Sequence, residues 1–140
     1  MTVTPPFLLE TPRLRLGAAY DGLTMTDDLI ERLEALLGKG GDGAALRLAL
    51  ASRYLEGGDA PTAVRHAEAA VRLDPEYSAA WKSYGRALTA AGRTSDALAA
   101  YERGAKVAER RGDQQAAKEM RVFSKRLQRD AAKPDDKNTG

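Results

Sequence analysis

The sequence predicts an all-α fold, an α-solenoid of about six antiparallel helices between disordered N- and C-terminal tails. Three observations carry that expectation. Alanine and leucine dominate the 140 residues, aromatics reach only 6%, and β-branched types are sparse, a balance that favours helix over sheet. Apolar residues recur at helical spacings in segments that end on glycine. Residues 44–77 and 78–111 repeat one another at an offset of 34.

Composition narrows the functional classes before any motif is read. The net charge of +2 is too small to announce a nucleic-acid or membrane binder. It is unevenly spread: residues 1–102 carry 11 basic and 14 acidic side chains, hence −3, and residues 103–140 carry 11 and 6, hence +5. With no cysteine there is no disulfide framework, thiol chemistry or cysteine-based zinc site. No apolar run approaches the roughly 20 residues of a membrane span, and the start lacks the basic and apolar regions of a signal peptide. A cytoplasmic protein that does not enter the membrane is expected.

Residues 1–25 read as a disordered leader, because Pro5, Pro6 and Pro12 bar a helix there. Within it, LETPRLRL is similar to the opening strand of ribosomal-protein acetyltransferases. Nothing later supplies the strands or glycine-rich loop such an enzyme needs. The helical domain is expected over residues 26–130. Its first helix, 27–38, starts at a Thr26 or Asp27 cap and carries Leu29, Ile30, Leu33, Leu36 and Leu37 as its apolar stripe. GKGGDG then follows a helix rather than a strand and has no Ser/Thr after its lysine, so it is a helix-to-helix turn and not a phosphate loop.

The repeat supplies the next four helices. Leu50 aligns with Tyr84, Ala51 with Gly85, Tyr54 with Leu88, Ala63 with Ala97, and Ala67 with Tyr101. Gly57-Gly58-Asp59 falls over Ala91-Gly92-Arg93, so each copy reads as helix, glycine turn, helix. Small residues recur where two helices approach closely. Larger ones recur where the gap must be filled.

These positions resemble the tetratricopeptide repeat, in which a Trp, a Leu-Gly pair and a Tyr mark the first helix, Ala, Phe/Tyr and Ala the second, and a Pro closes the unit. The second copy matches through Trp81, Tyr84, Gly85, Leu88, Ala97, Tyr101 and Ala105. The first matches through Leu50, Ala51, Tyr54, Ala63, Ala70 and Pro75. Arg47 replaces the first Trp, Ala67 the aromatic, and Arg110 the second proline. Carried 34 residues back, Ala63, Ala67 and Ala70 fall on Leu29, Leu33 and Leu36, so helix 27–38 stands as a half unit. A last helix, 113–129, with Ala116, Met120, Phe123 and Leu127 as its stripe, is a second half unit if Met120 lies 35 residues after Gly85. End helices of this kind cover faces that a bare pair would expose. Residues 131–140 read as a disordered tail.

What the resemblance implies is a non-enzymatic protein–protein interaction module, an adaptor or co-chaperone-like scaffold that takes a peptide or partner protein in a groove lined by first helices. Position by position, the groove residues are Leu48, Ser52 and Leu55 in the first unit and Lys82, Arg86 and Thr89 in the second. On the last helix they are Arg121 and Lys125. The pairs Lys82/Arg86 and Arg121/Lys125, each four apart, suit an acidic stretch of the partner. A chaperone-type carboxylate clamp would match Lys82, but Ser52 and Arg86 stand where asparagine is expected.

No constellation carries chemistry. His66 has no carboxylate or second histidine at ligand spacing and is given a surface or interhelical role. No catalytic set, metal motif or cofactor site is expected. The chain is expected to be a monomer or weak homodimer, and two further readings are kept: a self-associating structural protein, and a weak binder of nucleic acid, itself not expected, or of an acidic partner through the basic last helix. In the latter, stacking aromatics are missing apart from Phe123, which the core needs.

Overall fold

The computed structural model describes residues 18–133, with side chains from Asp28 onward. Six helices occur among the described residues: α1 (Ala18–Gly38), α2 (Ala44–Glu56), α3 (Ala60–Leu73), α4 (Ser78–Ala90), α5 (Thr94–Arg110) and α6 (Gln114–Ala132). α1 starts eight residues before Thr26, so residues 18–25, expected in the leader, are helical, and residues 1–17 lie outside the described residues. The LETPRLRL segment and most of the expected tail lie outside the described residues.

Four turns share one geometry. Gly40, Gly58, Gly92 and Gly112 have φ of 85°, 87°, 77° and 81°, the left-handed region that glycine enters without strain. The residue after each donates its N–H to a carbonyl five residues earlier, as Asp59 to Tyr54 (2.9 Å) and Arg93 to Leu88 (2.9 Å). The exception joins α3 to α4. There the Asp74 carboxylate accepts from the Glu76 N–H at 3.1 Å, and the Trp81 indole N–H donates to the Pro75 carbonyl at 2.7 Å. Asp59 and Asp113 cap α3 and α5's successor α6, accepting from Thr62 N–H and Ala116 N–H.

Each helix packs antiparallel on the next, and α2, α4 and α6 also touch one another in order. The second helices α3 and α5 make no such mutual approach. Close first helices and splayed second helices curve the stack, with α2, α4 and α6 on its inner side.

The core follows the repeat. Leu50, Ala51, Ala63, Ala67, Ala70, Leu88 and Ala97 are wholly buried, and Trp81 and Tyr101 are buried as expected, while Tyr84 is only half-buried. Small and large residues exchange in pairs. A Cβ on Gly85 would lie 2.4 Å from the Tyr101 ring, whereas the first unit places alanine at both positions, Ala51 and Ala67. Gly104, not Ala105, is the residue 34 after Ala70, and a Cβ there would meet Trp81 and Met120 at 2.6 and 2.5 Å. By the same count Glu109, rather than Arg110, stands in the place of Pro75.

The 34-residue step holds from α2 to α4 and from α3 to α5, but α4 opens at Ser78 and α6 at Gln114, a step of 36. α5, at 17 residues, is three longer than α3, at 14. On a helix, one residue of register is about 100° of rotation. The expected 35-residue step therefore aims the side chains of α6 the wrong way.

Candidate functional site

Between α4 and α6 the inner face opens into a cleft of about 530 Å³ lined by Lys82, Arg86, Gln115, Lys118, Glu119, Val122 and Phe123. The 36-residue step accounts for its α6 wall: Lys82 and Arg86 fall over Lys118 and Val122. The same step puts Trp81 over Ala117 and Tyr84 over Met120, both wholly buried. Phe123 is half-buried, its ring 5.5 Å from that of Tyr101, which anchors it to α5 while one side meets the cleft. Val122 is 50% exposed.

Charge in the cleft is predominantly positive. Lys82 donates to Glu119 Oε1 at 2.9 Å, and that ammonium holds the Glu119 carboxyl below the usual carboxylate range. Arg86 and Lys118 have no ion-pair partner among the described residues. One carboxylate thus answers three cations. The cleft can accept an extended anionic chain whose carboxylates reach Arg86 and Lys118 and whose apolar side chain covers Val122 and Phe123.

The eight groove residues read from the sequence do not all meet there. Lys82 and Arg86 line the cleft. Leu48, Ser52 and Leu55 lie half-buried on α2, one unit earlier on the same inner side. Thr89 is exposed, but its hydroxyl donates to the Gly85 carbonyl at 2.8 Å and is spent within α4. Arg121 and Lys125 line a separate hollow of about 320 Å³ between α5 and α6, with Leu98, Tyr101 and Met120. Arg121 is also paired with Glu109 at 2.6 Å. The two basic pairs therefore do not converge. Gln115, Lys118, Glu119, Val122 and Phe123, which also line the cleft, were not in that set. The 36-residue alignment sets Ala117 on the buried Trp81 position and Met120 on the half-buried Tyr84 position.

A second polar cluster joins α1, α2 and α3. Arg47 Nη1 lies 3.1 Å from His66 Nδ1, while its other nitrogens donate to Asp42 at 2.8 and 3.0 Å. Glu34 accepts from the Tyr54 hydroxyl at 2.8 Å and lies 3.5 Å from His66 Nε2. The His66 ring, 8% exposed, stacks on Tyr54. Burial, with Arg47 beside it, holds its pKa below the ordinary imidazole value against the pull of Glu34. His66 is thus an interhelical residue.

Among the described residues no group of three or more His, Cys, Asp or Glu is placed to hold a metal, and no helix is long and apolar enough to cross a membrane. Comparison with known proteins agrees with the architecture. Residues 48–117 match the family model described as tetratricopeptide repeat. A TPR repeat-containing protein of Pseudomonas aeruginosa is 48% identical over 101 residues, covering 72% of this chain and 96% of the relative. The solution structure of a Bordetella parapertussis protein is 44% identical with a TM-score of 0.64, covering 74% of this chain and 90% of that one. The Sgt2 TPR domain of Aspergillus fumigatus is 27% identical with a TM-score of 0.69, covering 83% and 78%.

Proposed function

This chain belongs to the tetratricopeptide-repeat family, and from that premise we propose that it is a non-enzymatic cytoplasmic adaptor holding an acidic segment of a partner protein in the α4–α6 cleft. The supporting observation is the convergence of Lys82, Arg86 and Lys118 above the apolar floor of Val122 and Phe123. Exposed ion pairs contribute on the order of 0–1 kcal/mol each, so charge alone does not hold a peptide. The exposed side of Val122 and the ring of Phe123 supply apolar contact, at about 25 cal/mol per Å² covered. Leu48, Ser52 and Leu55 extend the same track towards a less polar end.

A co-chaperone-like scaffold is the narrower form of this reading. Lys82 suits a terminal carboxylate. Ser52 and Arg86, in place of asparagine, favour an internal run of acidic side chains instead.

The test is fluorescence anisotropy of a labelled decapeptide rich in Asp and Glu with one Phe. Binding that weakens with salt is expected, and Lys82→Glu with Arg86→Glu should abolish it while leaving the helical circular dichroism unchanged. Undiminished binding by that folded variant removes the cleft from the reading.

A further inference from the structure

The two ends of the stack are unfinished in complementary ways. α1 is a second helix that packs on α2 and, among the described residues, has no first helix of its own unit beside it. Its Leu36 is 53% exposed, although the residues one and two units later, Ala70 and Gly104, are buried against such a helix. α6 is a first helix with, among the described residues, no second helix against its outer side, and the 320 Å³ hollow there is bounded by Leu98, Tyr101 and Met120. Leu98 is half-buried there, whereas its counterpart in the first unit, Val64, is only 5% exposed. An α1 seated against α6 would make one whole unit.

The charges of the two ends are opposite. α1 carries five acidic residues and one arginine, hence −4, and α6 carries five basic and two acidic residues, hence +3. Asp28 and Glu31 are exposed on α1. Lys125, Arg126 and Arg129 are exposed on α6 and have no ion pair among the described residues. We infer that the α5–α6 hollow docks the α1 end of a second copy, so that copies add head to tail along the solenoid axis.

Such a joint is heterologous, and it propagates rather than closing as a two-fold dimer. Arg121 stands 36 residues after Gly85, where the second unit has no side chain and the first only the methyl of Ala51, so the helices meet less closely than α4 and α5 do. The joint is then largely ionic, and salt weakens it as the screening length shortens from about 10 Å at 0.1 M to about 3 Å at 1 M.

Light scattering of the full chain after nuclease treatment tests this. In low salt the mean mass should rise with concentration above the 15.1 kDa monomer, and return to it in 1 M NaCl. Lys125→Glu with Arg129→Glu, and separately Asp28→Lys with Glu31→Lys, should each leave a folded monomer. An equimolar mixture of the two variants should associate again, since each then offers the end the other lacks. A monomer throughout in low salt overturns the inference. So does association that either variant retains alone, failure of the mixture to recover it, or association that nuclease removes, which would assign the basic end to nucleic acid.

Discussion

Arg47 and His66 share a hydrogen bond, Nη1 to Nδ1 at 3.1 Å, in the place where the next unit sets Trp81 beside Ala100. A large side chain and a small one have been exchanged for two of middling size. The arginine's donor forces Nδ1 to accept, so neutral His66 carries its proton on Nε2 and turns it towards Glu34. The sequence shows Arg47 as a departure from the repeat. The structure shows it as half of a compensated pair, and its consequences are measurable.

Arg47→Trp should destabilise the protein by leaving His66 without its donor and crowding the ring. His66→Ala should destabilise it by opening a hole beside Arg47. The double variant restores the Trp–Ala pairing of the second unit, and its loss should fall short of the sum by about 0.5–3 kcal/mol in urea unfolding. Losses that add within about 0.5 kcal/mol would show the pair to be independent.

Stability should also depend on pH through His66. Its folded pKa is depressed, so as pH falls below about 6.5 the unfolded chain takes up a proton that the folded chain refuses. Stability is therefore whole above that value and declines below it, down to the folded pKa. The depressed carboxyls of Asp42, Asp59 and Glu119 act in a lower window, as pH falls through the carboxylate range. Between pH 7.5 and 5.5, thermal melts of His66→Gln should be flatter than those of the parent. Parallel slopes would assign the effect elsewhere.

Gly85→Ala should cost about 1–3 kcal/mol, because the new methyl meets Tyr101 Cε1 at 2.4 Å and Cδ1 at 2.6 Å in a closed interior. Helix propensity alone would favour the change by about 1 kcal/mol. Gly57→Ala is the control: its φ is −81° and its Cβ would meet the Arg53 carbonyl at an ordinary 3.5 Å. The control should leave the unfolding midpoint within about 0.5 kcal/mol of the parent. An equal effect at both glycines would refute the contact with Tyr101.

Glu119→Gln removes the one carboxylate that lines the α4–α6 cleft among the described residues and leaves Lys82, now 2.9 Å from a carboxylate, with a neutral acceptor instead. Acidic peptide should bind this variant several-fold more tightly, with little change in melting temperature, since exposed pairs contribute about 0–1 kcal/mol. Weaker binding would mean that Glu119 orients Lys82 for the ligand instead of competing with it.

Much of the fold was legible because helices and glycine turns are local. The periodicity of Leu29, Ile30, Leu33 and Leu37, the glycines at positive φ and the 34-residue spacing depend on neighbours in the chain. The α4 wall of the candidate site was legible for the same reason: Lys82 and Arg86 sit in a copy whose register the first copy defines. Arg121 and Lys125 were misplaced because α6 has no complete copy to align with.

By itself the sequence determined the helical class, the turns, the repeated unit and the opposed charges of the two ends. Only the tertiary structure decided which face α6 presents. Met120 packs beside Gly104, next to Trp81, and Ala117 is wholly buried with it, which takes the apolar surface of both out of water. That choice turns Lys118 and Val122 towards Arg86. The cleft between α4 and α6 is the result of how one end helix packs, and no local pattern in its own residues states it.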